Sequence, residues 1–101
     1  MKLYLSGPMS GHPDLNFPAF FREASCLEQC GYEVCNPATL NPYQDTSLAE
    51  CLRIDLAALL ECDGVAVMQD WETSAGARLE VQVANACGIP VATVQGWVAR
   101  S

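Results

Sequence analysis

The run Gly64–Met68, GVAVM, contains no polar residue to turn toward water. A strand points successive side chains to opposite faces, so a run of this kind is stable only where both faces are covered. That requirement calls for a layered fold, and the rest of the chain supplies the layers. Lys2–Leu5 reads as a short strand stopped by Ser6-Gly7-Pro8. A helix then carries Phe20, Phe21, Ala24, Leu27 and Glu28, with Asn16 placed to cap it, Pro18 in its first turn and Gly31 as its breaker. Tyr32–Cys35 reads as a second strand, followed by a loop with Pro37 and Pro42 and a long helix over about Ser47–Cys62. After GVAVM, Thr73 or Ser74 caps a helix to about Ala86, Gly88 stops it, and Ile89–Val94 is the last strand. The tail QGWVARS adds a partial turn or an oligomer contact.

The order is β-α-β-α-β-α-β, which builds a parallel sheet with helices on both faces. We therefore expect one α/β domain over residues 1–101, a small doubly wound (Rossmann- or flavodoxin-like) sheet of strand order 2-1-3-4. Ligands in such sheets sit beyond the carboxyl ends of the strands, near the switch in strand order. Those ends are Ser6–Gly11, Asn36–Pro37 and Gln69–Ser74, all polar or glycine-containing. Gly7, Met9, Ser10, Asn36 and Trp71 are thereby candidate rim residues.

Charge and cysteine content narrow the partners. Twelve acids oppose five bases, for a formal charge of −7. The bases Lys2, Arg22, Arg53, Arg78 and Arg100 are scattered, whereas polyanion binding needs them clustered. No nucleic-acid polymer is expected as a partner, and a small molecule remains. No apolar run approaches the roughly 18 residues of a membrane span, and the N-terminal segment does not read as a signal peptide. A cytoplasmic protein without membrane association is the expectation. Six cysteines without a C-x-x-C pair, beside a single His, argue against a metal site and for reduced thiols packed as small hydrophobes. No cofactor is expected. A domain this short, with Trp97 and Val98 near its end, is expected to bury them against a second copy, as a homodimer or higher homo-oligomer.

Helical periodicity singles out two carboxylates. At about 100° per residue, Arg78, Gln82 and Asn85 form the wet face of the third helix. Glu80 lies roughly 190° from them, among Thr73, Gly76, Ala77, Val83, Ala84 and Cys87, so it points inward. On the second long helix Asp55 falls in the stripe with Leu52, Leu59 and Cys62, opposite Glu50, Arg53 and Glu61. An ionised carboxylate buried alone costs several kcal/mol or takes up a proton. Either acid by itself can be satisfied by backbone donors or water. Two of them on helices flanking one cleft point to chemistry, because glycosidic reactions use paired carboxylates. Ser74 reads first as a helix cap, though the following Ala-Gly76-Ala leaves a helix N-terminus open to an anion or a sugar hydroxyl. Tyr4 and Gly7-Pro8 read equally as an ordinary strand aromatic and turn. Trp71 is either a lid or a surface anchor, and Asp63 ends the turn before the third strand.

Three segments, YLSGPMSG, RIDLAALLECDGVAVM and TSAGARLEVQVANACGIPV, resemble the nucleoside 2-deoxyribosyltransferase superfamily, in particular a small branch found in bacterial and phage genomes. Deoxynucleoside 5′-monophosphate N-hydrolases are similar as well. The resemblance spans nearly the whole chain and includes the spacing Ser74-x-Gly76-x-x-x-Glu80. It implies that Glu80 attacks C1′ of a deoxyribose to form a glycosyl-enzyme ester, that Asp55 assists at the base or orients the nucleophile, and that Tyr4 lies beside it. Relatives that take 5′-monophosphates hold the phosphate with loop serines and an Arg. Here the loop Gly7–Gly11 has no Arg, leaving Ser6, Ser10, Ser74 and backbone N–H groups. The expected function is cleavage or transfer of the N-glycosidic bond of 2′-deoxynucleosides or their 5′-monophosphates. The alternative is a nucleoside- or nucleotide-binding module, a sensor or assembly subunit, that kept the pocket without turnover.

Overall fold

The computed structural model describes residues 1–40 and 47–101, so Pro42 of the expected loop lies outside the described residues. Four strands, β1 (Lys2–Ser6), β2 (Glu33–Cys35), β3 (Gly64–Val67) and β4 (Val91–Thr93), form one sheet of order β2-β1-β3-β4, as expected. Every pairing is parallel, with Tyr4 opposite Cys35 on one side and Val65 on the other. The helices are α1 (Phe17–Gln29), a single turn α2 (Pro37–Leu40), α3 (Leu48–Leu60), α4 (Ala75–Ala86) and α5 (Val94–Ala99).

Strand alternation divides the core in two. Leu3, Leu5, Ala66 and Met68 face α1 and α5, packing on Phe20, Ala24, Leu27, Val94 and Trp97. Tyr4, Val65 and Val67 face α3 and α4, packing on Leu59, Val81 and Ala84. All four residues of β3 are buried, the double coverage that its apolar run demands. Asp63 secures the turn before it: its carboxylate accepts the Lys2 N–H at 2.8 Å while its own N–H donates to the Lys2 carbonyl.

The tail departs from the expectation. The last strand stops at Thr93, whose hydroxyl accepts the Gly96 N–H and caps α5. Trp97 is only 3% exposed within the chain's own core, and its indole N–H donates to the Val65 carbonyl at 2.8 Å. A Cβ at Gly64 would lie 2.7 Å from the indole, so the start of β3 has no room for a side chain. Tyr32 stands edge-on to the ring and donates its hydroxyl to the Trp97 carbonyl, and Arg100 covers it at 4.8 Å. Trp97 therefore gives no reason for a second copy to bind. Val98 is half-buried against the same core.

Two smaller departures sit at helix starts. Asn16 occupies the N-cap position of α1 but its side chain does not cap it. Its backbone is left-handed (φ 61°), unlike the extended geometry that lets a cap reach back, and its amide instead donates to the Pro8 carbonyl. Asn36 turns the chain after β2: its side-chain oxygen accepts the Ala38 N–H and its carbonyl accepts from Thr39, giving α2 where a loop is expected.

Candidate active site

Tyr4 and Ser6 are two residues apart on β1, so both side chains leave the same face of the sheet, toward α4. On α4, Ser74 caps the helix by accepting the Ala77 N–H, which fixes the register that carries Glu80 inward. Arg78, Gln82 and Asn85 are exposed, while Ala77, Glu80 and Ala84 are buried. Glu80 is 6% exposed. The Tyr4 hydroxyl donates to its Oε2 at 2.7 Å and the Ser6 hydroxyl to its Oε1 at 2.8 Å. Each carboxylate oxygen thus has its own hydroxyl donor.

Burial pushes the Glu80 carboxyl up to about 7, against the opposing effect of the two hydrogen bonds, and the Asp55 charge adds to the rise. Near neutral pH both its protonation states are populated, and the ionised one is the form that could attack as a nucleophile or accept a proton. Burial, then the charges of Glu80 and Asp55, push Tyr4 far above the ordinary phenol range, so it remains a donor. Asp55 is half-buried on α3, which packs against α4, and its charge reaches both Tyr4 and Glu80.

The remaining candidates divide by face. Gly7 brings the β1–α1 loop onto the end of β3, where a Cβ would stand 2.9 Å from Met68, and the Met68 N–H donates to the Ser6 carbonyl. Ser74 caps α4 and Gly76 lies in its first turn, where, among the described residues, a Cβ would meet Ser74 Oγ at 3.8 Å. Trp71 packs on the core beneath α3 and α4. Met9 packs on the opposite core, Ser10 is exposed, and the Asn36 side chain is committed to α2. Cys35 lies beside Tyr4 at the end of β2, and burial pushes the Cys62 thiol up to about 12. All six cysteines are free.

Two features are absent from the sequence reading. The Ser6–Glu80 contact is one, although period-two alternation already puts residues 4 and 6 on one face. The other is a groove of about 220 Å³ beside the β1–α1 loop, against α1, bordered by Pro8, His12 and Met68, with Arg22 set among the acids Glu23 and Asp70. Among the described residues, no group of three or more His, Cys, Asp or Glu could hold a metal ion. No helix among them is long and apolar enough to cross a membrane.

Residues 1–93 match the family described as Domain of unknown function (DUF4406). The chain belongs to that family. Among solved structures, its fold is similar to that of a 2-deoxyribosyltransferase from the psychrotolerant bacterium Bacillus psychrosaccharolyticus. The TM-score is 0.70 and the likeness covers 90% of this chain and 69% of that one, at 18% identity. The distant resemblance carried by the three sequence segments is therefore matched at the level of fold. No curated protein matches the chain.

Proposed function

We propose that this DUF4406 member cleaves or transfers the N-glycosidic bond of 2′-deoxynucleosides or their 5′-monophosphates, with Glu80 as the nucleophile. The observation that carries the reading is the buried Glu80 carboxylate, held through both oxygens by Tyr4 and Ser6 below the carboxyl ends of the two central strands. A structural acid needs no such placement, and ligands in doubly wound sheets bind at that end. One Glu80 oxygen attacks C1′ as the C1′–N bond breaks, and the electron pair departs on the base, which takes its proton from water. Water or a second base then attacks C1′ and returns the pair to Glu80. Asp55, whose charge reaches the carboxylate, is the proton-handling or orienting partner, and Tyr4 positions it. The fold shared with a 2-deoxyribosyltransferase supports this chemistry.

A second reading has one observation in its favour. Both Glu80 oxygens already have partners, which also suits an acid kept only for architecture in a nucleoside-binding module. A panel of deoxynucleosides and their 5′-monophosphates, assayed for free base, separates the two. Under the enzymatic reading Glu80→Gln keeps ligand binding while base release falls by several orders of magnitude, because the amide cannot form the ester. Base release by the variant at the wild-type rate would sink the nucleophile assignment, and binding without release by the wild type would establish the second reading.

A further inference from the structure

We propose that Ser6 is a positioning residue whose hydroxyl lets go of Glu80 Oε1 when that oxygen bonds to C1′ and re-forms the bond as the ester breaks. The inference rests on the reading of Glu80 as nucleophile. In the resting site each Glu80 oxygen accepts one hydroxyl, at 2.7 and 2.8 Å. Once the ester forms, one oxygen bridges to C1′ and is a poor acceptor, while the other becomes a carbonyl and remains a good one. One of the two hydroxyls must therefore surrender its bond in every turnover.

The fold decides which. Tyr4 is fully buried in the middle of β1, between Cys35 and Val65 on the neighbouring strands, and its hydroxyl cannot leave Oε2 without moving a packed ring. Ser6, the last residue of β1, is equally buried, but its Oγ can leave Oε1 by one χ1 rotation between staggered wells, with no ring to displace. It also lies two residues, about 6.6 Å, further along the strand toward the end where ligands sit. Oε1 is thus the attacking oxygen, and Tyr4 stays on Oε2 as it becomes the ester carbonyl.

The two half-reactions then respond in opposite ways. In the first, the Ser6 bond stabilises the resting carboxylate and is lost, so apart from keeping Glu80 ionised it gives no help to attack. In the second, the C1′–Oε1 bond breaks, the electron pair returns to Oε1, and the hydroxyl meets the charge as it develops.

The test measures rapid base release and steady-state turnover on 2′-deoxynucleosides and their 5′-monophosphates, with intact mass to detect the glycosyl-enzyme. For Ser6→Ala we expect the ionisation limb of the pH profile to move to higher pH. Above that limb the base-release burst should be retained, while ester breakdown slows by about tenfold to a hundredfold, the worth of one hydrogen bond to a charged group. Glycosyl-enzyme should accumulate. Ser6→Cys, close in shape with a weaker donor, should fall between the two and serves as the test if the Ala variant does not fold. An unchanged limb and an unchanged ratio of burst to steady state would overturn the role of Ser6 alone. Absence of any glycosyl-enzyme or base release in the wild type would overturn the nucleophile reading and this inference together.

Discussion

Replacing Glu80 by Gln should change how the stability of the protein depends on pH, by an amount that follows from burial. The Glu80 carboxyl is lifted from 4.5 to about 7, chiefly by desolvation. At about 1.36 kcal/mol per pH unit, this penalises the folded, ionised form by about 3 kcal/mol. Below pH 4.5 both the folded and the unfolded chain hold the proton, and the native state keeps its full advantage. Between 4.5 and about 7 the unfolded chain ionises while the folded chain does not, so stability is lost as pH rises. Above that window both are ionised and the difference stays constant. Gln has no proton to lose, and like the protonated acid it presents one donor and one acceptor to Tyr4 and Ser6. The variant should therefore match the wild type to within about 1 kcal/mol at the acid end and exceed it by about 3 kcal/mol at pH 8. Urea unfolding followed by tryptophan fluorescence, from pH 5 upward, gives the measurement and stays clear of the isoelectric point near 4.3. A difference between wild type and variant that is flat across the window would refute the reasoning, as would one that grows toward acid.

Gly64→Ala should lower stability by about 1–3 kcal/mol, because the new Cβ meets an indole held in place by its bond to Val65; thermal unfolding checks this, and an unchanged melting temperature would mean the ring is free to move. Ser74→Ala should cost about 1 kcal/mol through loss of the α4 cap, and Ser74→Gly only a few tenths; equal losses in urea unfolding would show that the hydroxyl is not acting as a cap.

Sheet architecture was legible because its signals are local. An apolar run such as Gly64–Met68, breakers such as Gly31 and Gly88 and a cap such as Ser74 each act within a few residues of chain. The inward aim of Glu80 was equally readable, since the period of a helix is fixed. What escaped depends on pairs distant in sequence. Trp97 is a core residue because Gly64 makes room for it, a fit that neither local window reveals. Asn16 has the residue type of a cap but a left-handed backbone set by the preceding loop. Ser6 looked like a rim residue until α4 brought Glu80 to its hydroxyl.

The place of β1 in the sheet has a consequence for synthesis. It is made before the other three strands of its sheet, yet it sits between β2 and β3, and its register pairs Leu3 with Gly64. At about 5–20 residues per second, the strand waits on the order of 3–12 s for that partner to be made. During this time Leu3, Tyr4 and Leu5, all destined for full burial, have no completed sheet to join. β2, only three residues long, is made sooner and pairs with β1. Slower elongation lengthens the interval in which that apolar segment is open to other chains, so yield during expression should depend on translation speed as well as on final stability.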